Sequence, residues 1–320
     1  MKKLMISMLA MAAMVSCTNE IENPEVPVNE GPVPVTLNAG INQVTTKAIV
    51  EQSANISAIV YASATTNDYK TLAWTGEKAG KINITNGTTV AFEQTEYYPS
   101  NGNSIYMKAV YPTPSAAPTN NIITYDIDGD MDIMMTSELS GSRKTGANAS
   151  KTLDFHHMLT QLKIKVIAED EAAKTAWGTI SSITVNKVNT SIQLDLSKAY
   201  DETTDAALSS TGSKDKSITF KGLPADKSMA VITNQTTPAD IAAAATAMGY
   251  AMIQPATGNT EYELSITTSN STDMKVNVTL AESKASTSYD IVLTFKASSI
   301  AATATIGEWV SGTGTSTEVK

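Results

Sequence analysis

The stretch "LDFHHMLTQLKIKV", residues 153–166, alternates apolar and polar side chains with a period of two. Four positions would fall on one face of a strand here: Leu153, Phe155, His157 and Leu159. After Leu159 the apolar residues fall on even-numbered positions, Leu162, Ile164 and Val166, so the pattern changes register near Thr160-Gln161. Such alternation is typical of a β-strand with one buried face. The stretch therefore predicts β-structure, with a bulge or tight bend near Thr160.

The same alternation continues in both directions along the chain. We predict strands at 33–41, 56–63, 88–94, 104–111, 122–127, 159–168, 180–187, 191–196, 217–221, 230–233, 262–268, 275–280 and 289–296. One helix is predicted, at 238–248, with Thr237 as its cap and Gly249 as its end. The pattern predicts a mainly β protein of two antiparallel sandwiches in series.

Composition narrows the classes of function. The chain has 320 residues, a formal net charge of −9 and a single arginine, Arg143. An acidic surface repels phosphate backbones, which argues against nucleic-acid binding. With two histidines and one cysteine, and without the common hydrolase, zinc-protease or phosphate-loop motifs, we expect no enzyme and no cofactor.

The N-terminus holds the only cysteine, Cys17. Two lysines precede an apolar run at 4–15, which is too short to span a bilayer but matches a signal-peptide core. The placement resembles a bacterial lipoprotein signal, with Cys17 as the lipidated residue. An acidic, proline-rich segment follows and cannot pack a core, which disfavours the alternative of a buried thiol.

The boundaries follow from these features. Residues 1–17 are predicted to be the signal peptide and lipidation cysteine, and residues 18–33 a tether. The stretch "SGSRKTGANAS", residues 140–150, is the clearest linker or exposed loop. It divides an N-terminal sandwich at 34–150 from a C-terminal sandwich at 151–320.

Two clusters of side chains, one of histidines and one of aspartates, are candidates for a metal or catalytic site. His156 and His157 would point to opposite faces of a strand, so we expect His157 to be a structural residue that hydrogen-bonds at the bend, with a ligand role as the alternative. Four acids are spaced two apart: Asp126, Asp128, Asp130 and Asp132. A calcium loop of the EF-hand type would need glycine and glutamate where Met131 and Ser137 stand. We expect a turn with solvated acids, a weak cation site being the alternative, and assign no metal ligand.

Several stretches together resemble the fimbrillin-like (Mfa/FimA-type, type V pilus) proteins of Bacteroides-type bacteria. They are "YYPSNGNSIYMKAVYP" at 97–112, the strand with Phe155, His157 and Leu159, the closing strand "SYDIVLTFKASSIAATATIGEW" that ends in Trp309, and "TTKA" at 45–48. The resemblance covers most of the chain after Cys17. It implies two tandem transthyretin-like β-sandwich domains and a cell-surface pilus protein that supports adhesion.

The resemblance also implies a route of assembly. A lipidated precursor reaches the outer membrane, a protease cuts after a basic residue, the first strand leaves, and a strand from another pilin subunit fills the groove. In this sequence the best cut lies between Lys47 and Ala48, with Arg143 ranked second. The released strand would carry five alternating apolar residues: Val33, Val35, Leu37, Ala39 and Ile41.

The place of the protein in a pilus stays open at this point. The tail after Trp309 has few apolar positions, which favours a tip or accessory subunit over a stalk subunit that donates a strand. A retained anchor is a further possibility. The alternative function is a lipid-anchored carbohydrate-binding protein or adhesin that is not polymerised, with Trp74, Trp177, Tyr97 and Tyr98 as its candidate aromatics.

Overall fold

The computed structural model describes residues 31–41, 50, 52–146, 151–200 and 206–307. By its contacts the chain divides into residues 1–32 and residues from Val33 onward, and every described strand and helix belongs to the second unit. Strands dominate, so the predicted mainly β class is confirmed. Within the described ranges, no helix is both long and apolar enough to cross a membrane.

The elements of the first half are strands with one short helical turn. They are β1 (Leu37–Ile41), β2 (Ile56–Ser63), β3 (Lys81–Thr85), β4 (Thr89–Phe92), β5 (Ile105–Tyr111), β6 (Ile122–Asp126), β7 (Met134–Thr136), β8 (Leu139–Gly141), α1 (Arg143–Gly146) and β9 (Lys151–His157).

The second half adds eleven strands and two helices to the described part of the chain. They are β10 (Thr160–Ala168), α2 (Glu171–Trp177), β11 (Ile180–Val188), β12 (Ser191–Asp195), β13 (Leu208–Ser210), β14 (Lys216–Thr219), β15 (Ala230–Val231), α3 (Pro238–Ala244), β16 (Thr246–Ile253), β17 (Thr260–Thr268), β18 (Met274–Leu280), β19 (Thr287–Lys296) and β20 (Ser299–Gly307).

The first sheet closes on itself. Its strands follow the order β2-β3-β4-β1-β9-β7-β5-β8, and β2 also pairs with β5. Seven of the eight strands therefore form a ring, with β8 attached to β5. A closed ring removes the exposed strand edges of an open sheet. Its inner side holds a hydrophobic cluster, called the first core here, to which β1, β2, β5 and β9 all contribute.

The second half is built from three smaller sheets. Their orders are β15-β10-β19-β20 with β16 on β10, β14-β11-β17-β18, and β13-β12-β6. Strand β6 pairs with β12 over five residues although it comes from the first half of the sequence. A second hydrophobic cluster, called the second core here, fills this half and includes Tyr125 from β6. The transthyretin-like tandem arrangement and the division at residue 150 stay predictions, and β9, which follows that residue, lies in the first sheet.

The opening stretch crosses between two sheets. β9 ends at His157 in the ring, and β10 begins at Thr160 in the second half. Between them, the Met158 N–H donates to the Ile133 carbonyl at 2.7 Å, and the Leu159 carbonyl accepts from the Ser286 N–H at 3.0 Å. The change of apolar register is thus a passage from one sheet to another rather than a bulge within one strand.

The helix prediction was wrong at its C-terminal end. Thr237 caps α3 as predicted and accepts the Asp240 N–H at 3.2 Å, but the helix stops at Ala244 and β16 follows. Met248 is fully buried in the second core, and burial of such residues in a strand against β10 outweighs the helical propensity of the alanine run. Gly249 lies inside β16 with φ +103°, where an added Cβ would lie 2.1 Å from the Lys221 carbonyl oxygen.

Helix α2 was not predicted from the sequence. It has an ordinary start signal, because Asp170 accepts the Ala173 N–H at 2.7 Å. Only seven residues long, it buries Ala173 and Trp177. So short an apolar period is hard to recognise between two strands.

Candidate assembly site at the N-terminal strand

Strand β1 occupies an internal position of the ring. It runs parallel to β9 from the pair Leu37–Lys151 to the pair Ile41–Phe155. On its other side it is antiparallel to β4 through the pair Asn38–Thr89. One neighbour is thus joined by a continuous five-residue ladder and the other by a short contact. The first strand of the described residues is therefore part of the closure of the sheet.

The residues before β1 are held by a different segment. The Val35 N–H donates to the Glu96 carbonyl at 2.8 Å, and the Val33 carbonyl accepts from the Tyr98 N–H at 3.0 Å. Pro34 forms an isolated bridge with Tyr97 between these bonds. The single strand predicted at 33–41 is therefore two paired pieces, 33–35 beside 96–98 and 37–41 between β4 and β9.

The five alternating apolar side chains fill the first core. Val33, Val35, Leu37, Ala39 and Ile41 are 5%, 4%, 5%, 5% and 2% exposed. They pack in one cluster with Leu153 and Phe155 of β9. Asn38, on the opposite face of β1, is exposed. The burial of the five apolar side chains follows from the period-two pattern, because successive side chains of a strand point to opposite faces.

The segment that binds residues 33–35 is itself fixed by other contacts. The buried Glu96 carboxylate accepts the Gly80 N–H at 2.9 Å. The Tyr98 ring lies against Gly141 of β8, where an added Cβ would lie 2.7 Å from the ring. This wall of the site is therefore tied to β8 and to the turn before β3. No sequence pattern predicts a role for Glu96, although it directly precedes the tyrosine–proline stretch at 97–112.

The processing residues lie outside the described part of the chain. They are the lipidation residue Cys17 and the cut-site residues Lys47 and Ala48. Trp309, the structural residue of the family-like closing strand, also lies outside the described part. Val50, three residues after Lys47, is buried in the first core. The second-ranked basic site, Arg143, lies in α1, is partly buried, and donates from Nη1 to the Ser100 carbonyl at 2.9 Å.

The residues of the family-like strand lie at the junction of the two cores. Phe155, His157 and Leu159 are all buried. The His157 Nδ1 and the Asp132 Oδ2 are 2.8 Å apart, and the His157 carbonyl accepts from the Ser286 hydroxyl at 2.8 Å. His157 thus joins the end of β9 to the loop before β7 and to the turn before β19, at the point where the chain changes sheet. His156 points away and stacks on Tyr200, with ring centroids 4.1 Å apart.

The acidic run is engaged with side chains of the second half. Asp128 lies 3.1 Å from the Lys221 ammonium and accepts the Asp130 N–H at 3.1 Å. Burial acts to raise the pKa of Asp128, but the Asp130 N–H and Lys221 outweigh it and hold that pKa below its usual value. The Tyr250 hydroxyl donates to Asp130. Among the described residues, no group of three or more His, Cys, Asp or Glu side chains is placed to hold a metal ion.

The aromatic candidates for carbohydrate binding are mostly interior. Trp74, Trp177 and Tyr98 are 9%, 6% and 4% exposed, whereas Tyr97 is 45% exposed. The Trp177 indole donates to the Lys296 carbonyl at 2.6 Å, and Trp74 packs edge-on against Phe92. Three of the four therefore pack within the fold.

This architecture defines the chain as a β-sheet protein whose N-terminal strand completes a closed sheet. Comparison with known proteins agrees with the mainly β fold. The sequence model of the fimbrillin-like family matches residues 43–309. The chain therefore belongs to the fimbrillin-like family, a structural and adhesion family rather than an enzyme family. As a member it is a pilus-type adhesion subunit of the cell surface, with other pilin subunits as its expected partners.

Solved structures are similar to the chain in fold. A candidate cell adhesion protein from Bacteroides uniformis is 16% identical, with a TM-score of 0.58, covering 87% of this chain and 99% of its own. A second candidate cell adhesion protein, from Bacteroides ovatus, is 13% identical, with a TM-score of 0.54, covering 88% and 99%. A search of curated proteins gives no match.

Proposed function

We propose that the protein is a tip or accessory subunit of a pilus, which exchanges its own residues 33–41 for a strand of another subunit. In this proposal Cys17 is lipidated for export to the outer membrane, and a protease that cuts after basic residues cleaves between Lys47 and Ala48. The observation that carries the proposal is the position of residues 33–41 at the start of the folded unit: β1 is internal to the ring, and five apolar side chains of this stretch are buried.

The energetics favour exchange over simple loss. Burial of a Val, Leu or Ile side chain contributes roughly 1.5–3 kcal/mol, so the four such residues at 33–41 offer roughly 6–12 kcal/mol to an incoming strand, and Ala39 adds little. Removal of β1 alone would leave unpaired edges on β4 and β9. An incoming strand restores both ladders, which is the physics of β-strand addition. Residues 96–98 keep their contacts with Gly80 and Gly141, so one side of the groove is already in place before the incoming strand binds.

The choice of cut site is supported by the surroundings of the alternative. A protease binds its substrate as an extended segment, but Arg143 lies in a helical turn and bonds to Ser100. A cut at Arg143 would also leave residues 33–41 covalently attached to everything up to that point. A cut after Lys47 separates the strand from the rest of the fold.

The acceptor role is supported by the other end of the chain. Strand β20 pairs with β19 over nine residues, and its positions Ile300, Ala302 and Ala304 pack against the second core. These residues are thus committed within the subunit. After Trp309 the sequence holds two aliphatic residues, Val310 and Val319, which are fewer than the five apolar positions of residues 33–41.

The deciding experiment is the intact mass of the protein taken from its native cell surface. A chain that begins at Ala48 supports a processed pilin. A chain that begins with acylated Cys17 means a retained anchor, or the alternative of a lipid-anchored adhesin that is not polymerised. In parallel, Lys47→Gln should abolish processing while the matched Arg143→Gln variant is processed normally. Limited trypsin cleavage mainly at Arg143, with residues 33–41 protected, would contradict the proposal.

A further inference from the structure

Strand β20 forms one border of its sheet, and among the described residues only β19 pairs with it. The ladder with β19 is continuous over nine residues, without a bulge. β18, the border strand of the neighbouring sheet, lies near β20 but forms no ladder with it. The backbone N–H and C=O groups of β20 that point away from β19, called the free edge here, are therefore available to another strand.

The free edge lacks the features by which proteins usually prevent unwanted strand pairing. Such features are charged side chains, proline, bulges and short length. The nine residues of β20, "SIAATATIG", include no charged residue and no proline. By contrast, the border strands β8, β13 and β15 have only two or three residues, and β14 and β18 carry Lys216 and Lys275. β20 is thus better suited to pairing with another strand than these borders are.

The apolar face of β20 is incompletely covered within the subunit. Ile300, Ala302 and Ala304 pack against the second core but are only half-buried. Ile306, the next residue in this alternation, is 76% exposed. On β18, three inward side chains are at most 8% exposed. The second core is therefore closed at β18 but open at β20, and a strand added beside β20 would bury apolar surface there.

We propose that the free edge binds a second copy of this chain, with the two β20 strands antiparallel about a twofold axis at Thr303. Thr303 is the middle residue of β20, so the two strands overlap over their full length in this register. Ile300 of each copy then lies opposite Ile306 of the other, and Ala302 lies opposite Ala304. Cross-strand apolar pairs of this kind stabilise a sheet.

A second copy is favoured because β20 is complementary to itself. No like charges meet in the pairing, since the strand has none, and each exposed Ile306 is covered by the half-buried Ile300 of the other copy. In such a symmetric interface every contact occurs twice. The interface is small, so we expect weak association in solution that strengthens where many copies are held close together. The inference does not rest on strand exchange, because β20 takes no part in the sheet that contains β1.

The register is tested with single cysteines on β20 of the full chain, with Cys17→Ser in every sample. Thr303→Cys brings two thiols together at the axis, so air oxidation should give a disulfide-linked dimer. The matched control is Thr305→Cys, which is equally exposed on the same face, but its two thiols would lie about 13 Å apart along the strands. It should cross-link far more slowly. A mixture of Thr305→Cys and Ala301→Cys should regain cross-linking, because these two positions lie opposite each other.

Sedimentation velocity measures the association of the chain with β20 unchanged. The weight-average mass of the parent should rise with concentration in the micromolar to millimolar range. Ile306 is exposed, so Ile306→Lys should fold normally, and it should raise the dissociation constant roughly tenfold or more, because a charge then faces Ile300 of the other copy. The conservative control Ile306→Val should associate as the parent does.

Three results would overturn the proposal. The first is a parent that stays monomeric over the whole range, whether the free edge is bare or residues 308–320 cover it. The second is equal cross-linking of Thr303→Cys and Thr305→Cys, which would mean another register or random collision. The third is association of Ile306→Lys that is as strong as that of the parent.

Discussion

Replacement of Leu37 by alanine tests whether β1 is a structural strand that processing removes. The Leu37 side chain is 5% exposed and packs within the first core. A buried Leu→Ala change costs about 2–5 kcal/mol, through lost burial and the cavity left behind. We expect Leu37→Ala to lower the free energy of unfolding of the precursor by that amount in urea titrations followed by circular dichroism.

The same variant reports on release after cleavage. Once the chain is cut after Lys47 and residues 1–47 depart, the processed variant and the processed parent have the same sequence and must have the same stability. If the cut strand instead stays bound, the difference between the two proteins persists. The assay is therefore the urea midpoint of both proteins before and after limited trypsin treatment, with mass spectrometry to locate the cut.

Asn38→Ala is the matched control, because Asn38 is exposed on the other face of the same strand. It should change the stability of the precursor by less than about 0.5 kcal/mol. If Leu37→Ala lowers the free energy of unfolding of the precursor by less than 1 kcal/mol, β1 is not a core strand. Release fails if the two cleaved proteins still differ.

Three further predictions concern the described fold. Burial, with a smaller effect from Asp132 and Asp130, raises the pKa of Tyr111 to about 12, so the fold stabilises the neutral phenol. This contribution to the free energy of unfolding is complete below pH 10 and is lost as the pH rises through 12. Tyr111→Phe should therefore flatten the decline of the urea midpoint between pH 10 and 12, and an equally steep decline in the variant and the parent would contradict this. Gly249→Ala should lower stability by about 2–4 kcal/mol because of its positive φ and the nearby carbonyl, whereas Gly258→Ala, with positive φ but open space, should cost clearly less in the same titration. Lys108→Ala should cost about 2–4 kcal/mol in urea unfolding, because the buried ammonium donates to two backbone carbonyls at 2.8 and 2.7 Å; a loss under 1 kcal/mol would show that these bonds contribute little.

The strands were largely predictable because each alternates locally. β2 was predicted with its observed ends, and β11 and β19 with ends within two residues. β3 was missed, since its five residues hold only two buried apolar positions. The first three residues of β16 were predicted as the end of the helix, because the sequence there continues the alanine run of α3. Local propensity alone does not tell where the helix stops, because the core that buries Met248 is assembled from distant strands.

The candidate site was predictable in part. The buried face of residues 33–41 follows from its sequence pattern, but the neighbours of β1 do not. Its partner strand β9 lies more than a hundred residues away, and the segment at 96–98 is held by Gly80 and Gly141, which no pattern connects to it.

The parallel pairing of β1 with β9 has a consequence for biosynthesis. The chain is made from its N-terminus, so Val33–Ile41 leaves the ribosome long before Lys151–His157 exists to receive it. At roughly 5–20 residues per second, the apolar face of the first strand waits about 6–20 s for its partner. During that interval the strand exposes aggregation-prone apolar surface, which chaperones or a secretion channel must shield. Among the described strands, the one that closes the ring is thus the first to be synthesised, yet its main partner is made more than a hundred residues later.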